Sequence, residues 1–240
     1  MMMASRVHPT PRRRVKLTPL RILLAVLLGS ALILTVLFLF VRGWTPSHSR
    51  YPMQGISLTA ESGEVNWRMA HAAGADFAYL LATSGAETRD PSFDDYLAGA
   101  KAQGLRYGPI HRYNLCRLAS EQATRFIATV PRDPAMLPPV VQLDFFPNCA
   151  KRPSRDTLLA ELNTFLNQIE THSAKPALLR VSHDFEAEYD VASGINRTLW
   201  LEGDFFPPDY ATRPWVMWTA STWKRVEGID GPLEWDVVRP

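Results

Sequence analysis

The sequence predicts an α/β chain: an irregular TIM-like β/α barrel with a single N-terminal transmembrane helix. Three observations predict it. Ile22 to Val41 is an apolar run broken only by Gly29, Ser30 and Thr35, and at about 1.5 Å per residue it matches the roughly 30 Å hydrocarbon layer of a bilayer. Beyond it, near-continuous apolar runs alternate with amphipathic stretches, the pattern of a parallel sheet covered by helices. About eight such runs share fewer than 200 residues, which fits a compact closed barrel.

In chain order, residues 1–21 form a basic tail expected in the cytoplasm, 22–41 the membrane helix, 42–52 a linker and 53–240 the barrel domain. A cleaved signal peptide would have an apolar core of about 7–15 residues and a small-residue cleavage site. The run here is longer and leads into Arg42-Gly43-Trp44-Thr45-Pro46, so an uncleaved anchor is expected. The basic cluster before the helix outweighs Arg42 and Arg50 after it, which keeps the N-terminus cytoplasmic. The protein is therefore expected in the cytoplasmic (inner) membrane as a single-pass chain, with its domain in the periplasm or outside and Trp44 at the outer interface.

Strands are expected over 54–58, 77–83, 105–111, 140–145, 177–181, 198–201, 215–219 and 233–238. Helices are expected over 67–73, 93–103, 120–130 and 154–170. In the last, Leu158, Leu159, Leu162, Phe165, Leu166 and Ile169 trace one face after Ser154, a fitting N-cap. Helical patterns fade in the final third, which is expected to be irregular.

Charge divides the chain. Seven of its 26 basic residues and none of its acids lie in 1–42, leaving 19 basic against 24 acidic residues beyond, a formal −5. A mildly acidic domain lacks the basic footprint that nucleic acid requires. The two cysteines exclude a disulfide-dense scaffold, and no Cys/His group has zinc spacing, so neither metal nor cofactor is expected. In an oxidising compartment Cys116 and Cys149 are a disulfide candidate; two separate buried thiols are the alternative.

Chemistry in parallel barrels gathers where strands end and loops begin. That rule selects Ser57, Thr83, Ser84, His111, Tyr113, Gln142, Asp144, Phe146, Arg180, Trp200, Glu202, Asp204, Trp218, Glu234 and Asp236. Gln142, Asp144 and Phe146 are two apart, so a continuing strand points them to one side. Carboxylates perform glycoside chemistry, and aromatic faces stack on sugars; each tryptophan could equally be core.

Several segments resemble the glycoside hydrolase family 25 lysozymes, the Chalaropsis-type muramidases. Gly55-Ile56-Ser57-Leu58 and Gly63-Glu64-Val65-Asn66-Trp67 resemble the opening strand and its continuation. Phe77 to Gly85 is similar to F-A-x-I-K-A-T-E-G, Asp90-Pro91-Ser92-Phe93 to D-P-x-F, and Gly108-Pro109-Ile110-His111 to G-x-Y-H. Leu137-Pro138-Pro139-Val140-Val141-Gln142-Leu143-Asp144 resembles L-P-P-V-L-D-x-E. The order holds from Met53 to Val238. The resemblance implies a barrel that acts on peptidoglycan glycan strands.

The same alignment shows altered acids. Ser57 stands where the family has aspartate, Gln142-Leu143-Asp144 replaces D-x-E, and Glu234-Trp235-Asp236 replaces D-x-N. A shifted register would put Phe146 at the glutamate. By resemblance Asp144 is the proton donor, with Glu234 or Glu202 as second carboxylate, while Gln142 could only orient an acetamido group. Trp200, Trp218, Tyr113 and Phe146 are the stacking surfaces, with Ser57, His111 and Asp236 around them. Arg180 would bind a glycan carboxylate, pair with Asp144, or be a plain surface arginine. Three functions stay open: an active muramidase, a non-catalytic glycan-binding pseudoenzyme, and a module for a protein partner of the cell envelope.

Overall fold

The computed structural model describes residues 18–240; residues 1–17, most of the basic tail, lie outside the described residues. The chain divides into one unit that ends at Val41 and a second spanning Arg42–Pro240. Helix α1, Pro19–Gly43, opens with proline, whose missing N–H is an orphan donor at a helix start in any case. Its leucine-rich body exposes its apolar side chains and is long and apolar enough to cross a membrane.

The second unit is a barrel. Its strands are β1 (Gln54–Leu58), β2 (Phe77–Ser84), β3 (Thr88–Arg89), β4 (Arg106–Arg112), β5 (Val140–Leu143), β6 (Leu178–Val181), β7 (Thr198–Glu202), β8 (Met217–Ser221) and β9 (Glu234–Val238). They pair in the order β1-β9-β8-β7-β6-β5-β4-β2, and β1 pairs with β2 to close the ring; β3 is a short edge on β2. Every neighbouring pair in the ring is parallel except those of β9, which runs antiparallel to both β8 and β1. A parallel return needs a crossover, usually a helix. Residues 222–233 hold no helix, so the last strand enters reversed.

Helices α2 (Trp67–Ala72), α3 (Phe93–Ala102), α4 (Ala119–Thr129), α5 (Arg155–Ser173), α6 (His183–Tyr189) and α7 (Val191–Gly194) follow β1, β2, β4, β5 and β6. In α5 the Ser154 hydroxyl accepts the N–H of Thr157, and Leu158, Leu162, Phe165, Leu166 and Ile169 are buried as the periodicity requires. Helices α6 and α7 occupy part of the stretch expected to be irregular. Each has two turns or fewer, too short for a periodic signal.

Side chains alternate between two cores. Phe77, Tyr79, Ile110, Val140, Leu178, Trp200 and Met217 fill the lumen. Ile56, Leu80, Val141, Leu179, Leu201 and Trp235 face the surrounding layer. Cys116, between β4 and α4, and Cys149, between β5 and α5, are disulfide-bonded with their Cα atoms 5.8 Å apart.

Candidate functional site

Above the apolar lumen the inward positions turn polar. Ser57, Gln142, Arg180, Thr219 and Asp236 continue the inward series of their strands towards the mouth. Asp236 is fully buried. It accepts from Ser57 Oγ at 2.7 Å and Thr219 Oγ1 at 2.8 Å, and Thr219 Oγ1 in turn accepts from Trp200 Nε1 at 2.9 Å. Burial raises the Asp236 carboxyl to about 7; the neighbouring Glu234 charge adds to this, and Arg180 with the two hydroxyls opposes it.

Arg180 lies one layer higher, with a side chain only 2% exposed. Its Nε donates to Glu202 at 2.7 Å, and its two terminal nitrogens grip both oxygens of Glu234 at 2.5 and 2.7 Å. The reversed direction of β9 makes this possible: Glu234 begins its strand opposite Ser57, near the end of β1. Burial alone would weaken the guanidinium's hold on its proton, but Glu234 and Glu202 more than reverse this. Glu202 is pushed up by burial and by the charge of Glu234, with Arg180 opposing.

Asp144 is held separately. Arg112 Nε lies 2.9 Å from each of its oxygens, and Nη2 lies 2.7 Å from Oδ2. The same guanidinium stacks over the Phe146 ring at 4.2 Å. The partner of Asp144 is therefore Arg112, not Arg180. Strand β5 ends at Leu143, so Asp144 and Phe146 stand on the loop beyond it rather than on a continuing strand.

A cleft of about 370 Å³ opens here, lined by Ser57, Asp90, Arg112, Gln142, Asp144 and Glu234 among others. An adjoining cavity of about 340 Å³ shares Arg180 and Glu234 and continues to Glu202, Asp204 and Thr222. Glu61, on the turn after β1, stands exposed at the lip. Among the described residues no three histidine, cysteine or carboxylate side chains form a metal-ligating group.

The structure thus brings Ser57, Gln142, Asp144, Arg180, Glu202, Glu234 and Asp236 together. It separates the aromatic set. His111 is fully buried in the outer core, between Thr83 Oγ1 at 2.7 Å and Gln122 Oε1 at 3.2 Å. Burial depresses it to about 3, which leaves the ring uncharged. Tyr113 packs on Phe165, and Trp218 donates to the Gly203 carbonyl at 2.5 Å; both are buried on that outer side. Trp200 is sealed in the lumen. These four cannot stack on a sugar from where they stand, because none has an exposed face. Phe146 is half-buried, with Arg112 over its ring.

Sequence reading passed over Arg112, Asp90 and Glu61. With Ile110 packed in the lumen, strand alternation places Arg112 inward and His111 outward; the sequence alone does not give that phase. Asp90 is buried and accepts from the Ala60 and Ser92 N–H groups, so it holds the lip in shape.

Against known proteins, the profile of the family described as Glycosyl hydrolases family 25 matches residues 56–229. The Escherichia coli protein YegX is 23% identical over 194 residues, covering 78% of this chain and 70% of YegX. Lysozyme M1 of Streptomyces globisporus is 24% identical over 199 residues, 76% of this chain and 66% of that one. A family 25 glycosyl hydrolase structure from Bacillus anthracis shares the fold with a TM-score of 0.73 at 23% identity, covering 81% of this chain and 94% of its own.

Proposed function

This chain belongs to glycosyl hydrolase family 25, and on that premise we propose that it is a membrane-anchored domain that holds peptidoglycan glycan strands without cleaving them efficiently. One observation carries the reading. The three carboxylates expected to do chemistry are each clamped by an arginine: Asp144 by Arg112, and Glu202 and Glu234 by Arg180.

Breaking a glycosidic bond needs an acid that reaches the leaving oxygen and a second carboxylate at the cationic centre. Asp144 must let go of Arg112 before either of its oxygens can serve. Its side chain is also one methylene shorter than the glutamate that the family motif has there, and a misplacement of about 1 Å costs on the order of 10²-fold. Glu234 is gripped through both oxygens by a buried cation, which forbids nucleophilic approach. What remains is a polar cleft rich in donors and acceptors, suited to sugar hydroxyls and acetamido groups.

Helix α1 supplies the anchor in this reading, with the domain on the exported side. The Cys116–Cys149 bond fits an oxidising compartment.

Turbidity clearing of purified peptidoglycan tests the proposal, alongside thermal shift with soluble glycan oligomers. The expected outcome is a raised melting temperature with no clearing above that of an Asp144→Asn variant. Clearing that Asp144→Asn abolishes would establish a muramidase instead. A second reading has one observation in its favour. Burial raises Glu202, the direction a general acid requires. Clearing that survives Asp144→Asn but is lost in Glu202→Gln would support it.

A further inference from the structure

Twenty residues of helix, Ile22 to Val41, span roughly 30 Å, so a spanning α1 brings Arg42 and Gly43 to the headgroup level. Two loops of the barrel lie within a hydrogen bond or a ring contact of that point. The Arg225 N–H donates to the Arg42 carbonyl at 3.0 Å, and Lys224 Nζ donates to the Gly43 carbonyl at 2.9 Å. The Trp44 ring meets Phe205 edge-on at 5.2 Å. The loops after β7 and β8 are therefore fastened where the chain leaves the helix.

These loops carry the two exposed large aromatic side chains described beyond Arg42: Phe206, 78% exposed, and Trp223, 51% exposed. Single exposed apolar residues are ordinary on a soluble surface. Here both cluster at one point, and tryptophan is enriched at the membrane–water boundary. The loops are also built to hold shape. Asp204 accepts from the Thr222 N–H at 2.6 Å and from Trp223 Nε1 at 3.2 Å, tying one loop to the other. Phe205 takes a positive φ of 67°, sparsely populated for a non-glycine residue; it packs on Trp44 while Phe206 stays outside.

The cleft begins where the loops end. Asp204 and Thr222, next to Phe205 and Trp223 in the chain, line its second cavity. We propose that Phe206 and Trp223 dock these loops into the headgroup layer beside Gly43, so that the cleft opens at the bilayer surface and takes glycan strands still close to the membrane. The proposal rests on the membrane-anchored, glycan-binding reading above.

Nitroxide labels on single introduced cysteines test it in the full chain reconstituted in phosphatidylcholine–phosphatidylglycerol vesicles, with the native disulfide left oxidised. The positions are Phe206→Cys, Trp223→Cys, Asn167→Cys on the exposed face of α5, and Leu32→Cys within α1. Docking predicts that labels at 206 and 223 collide more with oxygen dissolved in lipid than with an aqueous nickel complex. The label at 167 should show the reverse, and the label at 32 the deepest lipid signature. If 32 is deep but 206 and 223 match 167, docking is overturned and the anchor stands. If 32 is aqueous, the anchor falls and docking falls with it. Labels at 206 and 223 that stay aqueous but are immobilised by soluble glycan oligomers would assign these loops to the sugar site and overturn docking.

Discussion

Asp236 has a carboxyl displaced upward to about 7 from the ordinary 3.8. Between those values the unfolded chain has released this proton while the folded chain keeps it. The folded state then binds more protons, so stability falls as pH rises through the window and levels off above about 7. Replacement by asparagine removes the charge and keeps a group able to meet Ser57 and Thr219. Asp236→Asn is expected to match the parent near pH 4 and to exceed it at pH 8 by at least about 1 kcal/mol, the worth of a single pKa unit. Urea midpoints at pH 4, 6 and 8 check this; a variant less stable than the parent at pH 8 would show that Arg180 needs the Asp236 charge. This residue was legible in the sequence as a barrel-end carboxylate, but its burial was not. The same limit applies to His111 and Arg112. Strand β4 is buried on both faces, so polarity does not alternate along it, and nothing in the string Pro109-Ile110-His111-Arg112 says which side chain points inward.

The elements themselves were more legible than their inward faces. Helix α5 and most strands lie within a few residues of where periodicity puts them, because long amphipathic and apolar runs carry their own signal. Three features carried none: the two short helices α6 and α7, the reversal of β9, and the end of β5 before Asp144. The last matters for the site, since Asp144 and Phe146 then depend on a loop for their position. That loop is tied to its neighbour by Cys116–Cys149, 33 residues apart in sequence. Closing a segment of that length stabilises by roughly 3–4 kcal/mol in the chain-entropy model. The Cys116→Ser/Cys149→Ser double variant is expected to melt on the order of 10 °C lower, at roughly 2–4 °C per kcal/mol for a domain of this size. Calorimetry with and without reductant checks this: reductant should lower the parent's melting temperature and leave the double variant unmoved.

At the scale of the molecule, closure depends on the final strand. Strand β9 bridges β8 and β1, and without it both become open edges that invite pairing with other chains. It also carries much of the chemistry. Glu234 saturates Arg180, Asp236 anchors the hydroxyl chain from Ser57 and Thr219, and Trp235, facing the outer core, donates to Gln54 Oε1 at 2.6 Å. Barrel closure and the electrostatics of the cleft are therefore one event, since the residues that complete the hydrogen-bonded ring also neutralise its buried cation. Removing Glu234–Pro240 would leave Arg180 facing Glu202 alone and two β edges in water. A chain ending at Leu233 is expected to lose cooperative melting altogether and to aggregate, whereas a fragment of residues 42–240 should keep the melting temperature of the domain in the full chain. Light scattering and calorimetry on the two fragments separate these outcomes. Cooperative unfolding of the shorter one would mean that the parallel strands hold their curvature without closure, and that Arg180 finds its counter-charge elsewhere.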